Sequence, residues 1–264
     1  MSEIKLKIVN ADGHTMATTA ATEYAILVNT RDYQPGDRIV IETSDPGMFC
    51  VVQLDEAVLP AVVQIKGREA SFFIPFGEKT IPYSPKAFRG DRHLITVRVA
   101  KDSEVYGLRD LALNPFDSHE NTEMHPHATA NVETRGEAVF AARNAIDGIF
   151  ANASHGEYPY QSWGINRQAD AELTVELGAH CRVDRVGLTL RADFPHDNYW
   201  TQATLVLSDG QQQVVQLEKT ALPQYFEVDH VTDSVTLREL IKSSEPSPFP
   251  ALTQIEVWGR VLAG

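Results

Sequence analysis

The chain has 264 residues, of which 43% are hydrophobic and 22% charged, as in soluble globular proteins of one or two domains. Lys and Arg number 23 against 36 Asp and Glu, and the net charge of −13 disfavours nucleic acid and anionic membranes as partners. No stretch approaches the ~20 apolar residues of a membrane helix, and the first residues lack the apolar core of a signal peptide. We therefore expect a cytoplasmic protein, or an extracellular one if a leader was removed.

Residues 1–118 have the pattern of a β-sandwich. Turn signals such as PGD and DPG separate short runs that alternate or are rich in β-branched residues. These runs include RIVIET, FCVVQL, AVVQIK and LITVRVA. Short strands at this spacing indicate a sandwich or jelly roll. The sequence assigns no role to this half of the chain.

The segment NPFDSHENTEMHPHATANVE, residues 114–133, separates two halves of the chain. It has two prolines, many turn-forming residues and no apolar period, which predicts a solvated linker and the first loop of a second domain. We place the boundary at residue 118, so that the second domain spans 119–264. Two imidazoles and a carboxylate would suit a transition metal, but the segment lacks the helical spacing of such sites and contains Pro126. The candidate ligands there are His119, Glu120, Glu123, His125 and His127.

The second half is also predicted to be mostly strand. In AELTVEL, residues 171–177, the apolar residues Leu173 and Val175 alternate with Glu172 and Thr174, which is the period of a half-buried strand. VGLTLR, ATLVLSDG, YFEVDHV, SVTLREL and TQIEVWGR follow the same style. The one helical pattern is EAVFAARNAIDG, residues 137–148, which predicts about two turns ended by Gly148.

Six motifs of this half occur in the order found in a known family. They are NAIDG at 144–148, the tryptophan of YQSWG at 163, AELTVELG, VDRVGLTL, LVLSDG and LTQIEVWG at 252–259. In this order they resemble the discoidin, or coagulation-factor type C, domain of the galactose-binding-like superfamily, over residues 128–260. The resemblance implies an eight-stranded jelly roll whose loops at one end bind ligands, as in many bacterial carbohydrate-binding modules. The predicted fold class is therefore all-β, with two β-sandwich domains, the C-terminal one galactose-binding-like.

RADFPHDNYW, residues 191–200, falls at the ligand end implied by that resemblance. A neutral sugar needs directional polar partners for its hydroxyls and a flat aromatic ring for its apolar face. This loop and a second cluster, HGEYPYQSW at 155–163, supply both kinds of residue. The predicted ligand-binding residues are Arg191, Asp193, His196, Asn198, Trp200, Tyr160 and Trp163. The alternative is that Trp163 and Trp200 belong to the core and that the polar residues form turns.

The resemblance also implies a structural calcium ion, held by the loop RNAIDGIFANAS, residues 143–154. The candidate ligands are Asn144 through its carbonyl, Asp147, Asn152 and, from the last strand, Gln254. The family often has a glutamate at the last of these positions, so Gln254 removes one negative charge. Glu256 lies two residues further on and is a candidate replacement. The alternative is a plain turn in which Asp147 caps local amides.

The sequence therefore predicts non-catalytic carbohydrate binding by the C-terminal domain. Two alternatives remain: a glycan-processing enzyme with a site between the domains, and a protein-interaction or assembly module. No nucleophile elbow, phosphate-binding glycine loop or dinucleotide motif is present in the sequence. If there is acid–base chemistry, His196 with Asp193 or Asp197 is the candidate pair.

Overall fold

The computed structural model describes residues 3–151, 155–192 and 198–263, and every strand pairing in it is antiparallel. The all-β class predicted from the sequence is confirmed. None of the helices in the described part of the chain is long and apolar enough to cross a membrane.

The N-terminal half is a sandwich of two sheets. Its strands are β1 (Ile4–Val9), β2 (Thr15–Ala21), β3 (Tyr24–Asn29), β4 (Arg38–Thr43), β5 (Met48–Gln53), β6 (Ala61–Ile65), β7 (Glu69–Phe73) and β8 (His93–Val99). One sheet has the order β2-β1-β4-β7, and the other contains β6-β5-β8-β3. Successive side chains of a strand point to opposite faces of the sheet. In β1, Ile4 and Leu6 therefore have no exposed surface, while Lys5 lies on the partly exposed face.

The middle segment connects the two halves by strand pairing. Its strands are β9 (Arg109–Asp110), β10 (Met124–His125) and β11 (His127–Ala130). β10 adds to the β6 edge of the N-terminal sheet, although it follows residue 118 in sequence. β9 precedes residue 118 and pairs with the last strand of the chain. Met124, His125 and His127 are buried, so this part of the segment is not the solvated linker that its composition predicted.

The C-terminal half is one eight-stranded antiparallel sheet folded around its own core. Its further strands are β12 (Trp163–Gly164), β13 (Leu173–Leu190), β14 (Trp200–Leu207), β15 (Gln212–Gln216), β16 (Gln224–Lys242) and β17 (Ala251–Val261). The order is β12-β17-β13-β16-β14-β15, and β11 and β9 pair with β13 and β17. The motifs AELTVELG and VDRVGLTL form the single strand β13, which bends where its register shifts between Glu176 and Cys181. Gly178, at φ +82°, lies in this irregularity.

Helical structure in the described residues is limited to short turns. They contain one α-helical turn at Asp102–Val105, and 3₁₀ turns occupy Gly77–Thr80, Thr134–Gly136, Ala138–Phe140 and Ala142–Ile146. The helix predicted over residues 137–148 is therefore two 3₁₀ turns, because Ala141 between them has extended backbone at φ −72° and ψ 154°. Val139 and Phe140 are buried from these turns.

Each half has its own hydrophobic core, and one surface joins them. The core of the C-terminal half contains Trp163 and Trp200. Phe49, Val51 and Val62 point outward from the N-terminal sheet that contains β5 and β6, and they pack against that C-terminal core. The halves are thus joined by apolar packing as well as by the exchanged strands.

Candidate functional site

The loops at one end of the C-terminal half are tied together by two of the predicted site residues. The guanidinium of Arg191 donates to the carbonyl of Tyr160, and its backbone N–H donates to the carbonyl of Ala251 at 3.0 Å. Nδ2 of Asn198 donates to the carbonyls of Glu245 and Ser247. Arg191 and Asn198 are both fully buried. Arg191 therefore attaches one end of the predicted loop to Tyr160 and the start of β17, and Asn198 attaches the other end to the segment before β17.

The other predicted residues of this loop cannot all be placed. Asp193 and His196 lie outside the described residues, as does Asp197 of the candidate acid–base pair. Their ligand-binding and catalytic roles stay predictions.

The predicted aromatic residues lie beneath these loops. Trp163 and Trp200 each have 0% exposed surface, and their ring centroids are 6.3 Å apart. Nε1 of Trp163 donates to the carbonyl of Val132 at 2.9 Å, whereas Nε1 of Trp200 has no hydrogen-bond partner among the described residues. Tyr160 is 7% exposed and packs beside Arg191. In this structure the three rings are buried beneath the loops, and their role as ligand contacts stays a prediction.

A concave site opens on the same end of the C-terminal half, and we call it the loop pocket. It has a volume of about 120 Å³ and lies between the 3₁₀ turns, the segment after β12 and the segment before β17. Its apolar lining includes Phe140, Ile165, Pro248, Phe249 and Pro250, and its polar lining includes Thr134, Arg135, His155, Asn166 and Arg167.

The loop pocket has an aromatic floor and a charged rim. The guanidinium carbon of Arg167 lies 4.6 Å from the ring centroid of Phe249, which is half-buried. Arg135 makes two hydrogen bonds to Glu137, at 2.6 and 2.8 Å, and lies 5.8 Å from the ring of Phe140. The rim therefore presents two arginines beside an apolar surface, and one of them is paired with Glu137. Phe249 and Arg167 were missed from the sequence, where a single phenylalanine in SPFP carries no periodic signal.

The predicted calcium loop is closed by hydrogen bonds. Nε2 of Gln254 donates to Asn144 and Asp147, and Nε2 of Gln161 donates to Oδ2 of Asp147 at 3.1 Å. Burial raises the pKa of the Asp147 carboxyl to about 6. Glu256 is turned elsewhere and accepts from the hydroxyl of Tyr225 at 3.0 Å. Asn152, the fourth predicted ligand, lies outside the described residues.

The histidines of the middle segment face different partners. Nδ1 of His127 lies 2.6 Å from Oδ1 of Asp117, and Nε2 of His125 lies 3.3 Å from Glu176. Burial raises the pKa of Asp117, and the hydrogen bond to Asp117 raises the pKa of His127. The rings of His125 and His127 are 6.2 Å apart. These side chains therefore form separate hydrogen-bonded pairs, and the transition-metal site stays a prediction.

One further group of metal-ligand residue types lies in the N-terminal half: Asp55, Glu56 and His93. Nδ1 of His93 lies 3.0 Å from Oδ2 of Asp55, and its Nε2 lies 2.9 Å from the carbonyl of Gly90. Asp55 also accepts the backbone N–H of Phe88 at 2.9 Å. These hydrogen bonds already occupy both ring nitrogens, so the group is a buried structural pair.

A larger cleft lies between the two halves. Its volume is about 500 Å³, and its lining includes Phe73, Phe76, Pro82, Tyr83 and Arg143. Its acidic residues include Glu120, which pairs with Lys79 at 2.6 Å, and Glu133, which pairs with His119 at 2.9 Å. The cleft is therefore mostly apolar, and these two carboxylates are held in ion pairs.

The chain is similar to solved structures over part of its length. No known family and no curated protein matches the sequence. Among solved structures, the lectin domain of lectinolysin in complex with Lewis b is 18% identical, with a TM-score of 0.43, over 60% of this chain and 99% of that one. A fucose-binding module of Streptococcus pneumoniae is 13% identical, with a TM-score of 0.41, over 57% of this chain and 97% of that one.

A third similar structure is a family 32 carbohydrate-binding module of Clostridium perfringens NanJ in complex with galactose. It is 19% identical, with a TM-score of 0.38, over 50% of this chain and 91% of that one. Carbohydrate-binding modules of the discoidin-like kind are thus among the solved structures that this chain is similar to, as its motifs predicted.

Proposed function

We propose that the C-terminal half binds carbohydrate without catalysis, at the loop pocket. The observation that carries this proposal is the half-buried Phe249 ring at the floor of a pocket whose rim holds Arg135, Asn166 and Arg167. An aromatic floor with a few convergent polar groups is the usual form of a site for a small ligand.

The chemistry of the loop pocket favours a sugar over an apolar ligand or a phosphate. Sugar rings have an apolar face that stacks on aromatic surface and an edge of hydroxyls that both donate and accept hydrogen bonds. The rim offers donors at Arg167, and the side-chain amide of Asn166 can both donate and accept. Glu137 neutralises Arg135, and the chain carries a net charge of −13, which disfavours strongly anionic ligands.

The predicted loop at 191–200 contributes to this proposal as a neighbour of the pocket. Arg191 bonds to Ala251, which itself lines the loop pocket, and Asn198 bonds to Ser247 beside Pro248. A substitution at His196 therefore tests whether the residues between these anchors also touch the ligand. We assign Arg191 and Asn198 a positioning role, because both are buried.

No specific observation favours the two alternative functions. Retaining and inverting glycosidases need two carboxylates facing each other across the sugar. In the cleft between the halves, Glu120 and Glu133 are each paired with a basic side chain. An enzyme at this cleft and a protein-interaction module therefore remain outcomes of the test below.

The test is a glycan array on the full chain, followed by calorimetry with the sugars that bind. Phe249→Ala is expected to weaken binding at least about tenfold, because it removes the stacking surface. Arg167→Ala is expected to weaken it less, because the rim contact is exposed. Phe73→Ala is the matched control: this ring is also partly exposed and lies 5.6 Å from an arginine, Arg38, but it lines the cleft.

The pattern across these variants separates the possible sites. Loss in Phe249→Ala with full binding in Phe73→Ala supports the loop pocket. The reverse pattern places the ligand in the cleft and overturns the proposal. Loss in His196→Ala in addition to Phe249→Ala extends the site to the 191–200 loop. If the folded protein binds no glycan on the array, the proposal of carbohydrate binding is overturned and a protein partner is favoured.

A further inference from the structure

The loop from Asn144 to Ile149 closes around a single nitrogen atom. Nε2 of Gln254 donates to the backbone carbonyl of Asn144 at 2.7 Å and to Oδ1 of Asp147 at 2.6 Å. The carbonyl of Ile149 lies 3.4 Å from the same nitrogen. Three oxygens of one loop thus surround one nitrogen atom, which belongs to a side chain of β17.

The orientation of the Gln254 amide is fixed by its surroundings. Its Oε1 accepts the backbone N–H of Gly148 at 3.0 Å, while its Nε2 faces oxygens. Turning the amide over would set Oε1 against three acceptors and Nε2 against a donor, and these hydrogen bonds would be lost. The side chain is only 2% exposed, so water is poorly placed to replace them.

A divalent cation does not fit this set of atoms. Ca²⁺ takes about six to eight oxygen ligands at about 2.3–2.6 Å. Here the point of convergence is held by an amide nitrogen whose two protons point at the oxygens, and such a group repels a cation. The oxygens in contact with this nitrogen include one carboxylate, that of Asp147.

We propose that the carboxamide of Gln254 takes the place of a cation in this loop, so that the loop is closed without metal. The two amide protons supply the partial positive charge that the converging oxygens need. A carboxylate at this position would face Asp147 and two carbonyls with nothing positive between them. A single change, Gln254→Glu, is therefore expected to convert the loop into a calcium-dependent one. This inference does not rest on sugar binding.

The experiment measures thermal unfolding of the full chain in EDTA and in excess calcium. The wild-type protein is expected to show the same Tm in both. Gln254→Glu is expected to have a lower Tm in EDTA and to rise by about 5–10 °C when calcium exceeds its Kd about a hundredfold. Gln254→Met is the control, because it keeps the length of the side chain without its hydrogen bonds. Its Tm is expected to fall equally in both conditions.

Two results would overturn the inference. One is calcium binding by the wild-type protein, seen in calorimetry and abolished by Asp147→Asn, which would show that the amide yields its place to the ion. The other is a folded Gln254→Glu protein whose Tm ignores calcium, which would show that these oxygens do not form a cation site. The wild-type titration decides the matter by itself if Gln254→Glu fails to fold.

Discussion

Each half of the molecule buries an aspartate, and the two carboxylates are stabilised by different side chains. Asp55 is partnered by His93, and Asp147 is partnered by Gln161 and Gln254. Both ring nitrogens of His93 lie within hydrogen-bond distance of oxygen atoms, one of Asp55 and one of the Gly90 carbonyl. The N-terminal half therefore sets its carboxylate beside a histidine ring, and the C-terminal half sets its carboxylate among side-chain amides, near the guanidinium of Arg143.

The difference shows how much each cluster depends on a single partner. A carboxylate that loses the base beside it leaves an uncompensated charge in the core. Burial raises the pKa of Asp147, and the charge of Arg143 and the hydrogen bonds from Gln161 and Gln254 oppose that rise. Asp147 also accepts the backbone N–H of Ile149 at 2.8 Å. Loss of one amide leaves Asp147 with the other, whereas loss of His93 removes the ring beside Asp55, so the amide cluster should tolerate the loss of one member better.

The largest effect is expected from His93→Leu. Removing the base from beside a fully buried Asp55 should lower the free energy of unfolding by about 3–5 kcal/mol, measured by urea denaturation at neutral pH. Gln161→Leu is the matched change in the other cluster and should lower it by about 1–2 kcal/mol. Equal losses in the two variants would contradict the comparison. The double variant Asp55→Leu/His93→Leu should recover part of the first loss, because no charge is left behind.

A third aspartate extends the comparison to pH. Asp110 accepts the backbone N–H groups of Ala112 at 3.0 Å and Val257 at 2.9 Å, and burial raises its pKa from 3.8 to about 7. The folded state thus binds a proton more tightly than the unfolded chain does. Stability from this group is therefore greatest at low pH and falls as the pH rises from about 4 to about 7.

Asp110→Asn tests this pH dependence. An asparagine oxygen can still accept both backbone N–H groups but carries no charge. The advantage of the variant over the wild-type protein should grow by about 1–2 kcal/mol between acidic and slightly alkaline pH, a figure reduced for the partial exposure of the side chain. Urea denaturation of both proteins across that range measures it. An advantage that shrinks with rising pH would show that the sign is wrong.

The smallest effect concerns the two buried tryptophans, where one polar atom has a partner and the other has none. Trp163→Phe loses the hydrogen bond to Val132, whereas Trp200→Phe loses only ring volume. Trp163→Phe should therefore be the more destabilising change, by about 0.5–1.5 kcal/mol in thermal or urea unfolding. Both variants leave a similar cavity, so the difference between the two losses of unfolding free energy reports on the hydrogen bond. A larger loss at Trp200 would count against the assigned hydrogen bond.

The strands could be predicted from alternating apolar and polar residues, whereas the pocket residues lie in loops that have no such pattern. Leu173 and Val175 are buried as the pattern in AELTVEL predicted. The pocket residues Phe249 and Arg167 lie in loops, where no period marks which side chains meet. For Gln254 the sequence could identify the position, but only hydrogen-bond geometry shows that its nitrogen and not its oxygen faces the loop. A ligand set inferred from residue types alone treats these two faces of an amide as equal.

The exchange of strands around residue 118 has a consequence for how the molecule is made. The N-terminal sheet takes β10, which lies beyond that point, and the C-terminal sheet takes β9, which lies before it. During synthesis the first sandwich cannot complete its edge until residue 125 has emerged. β9 must then wait for β17, near the other end of the chain. The two halves are synthesised one after the other, but the pairing of β9 with β17 can form only after β17 has been made.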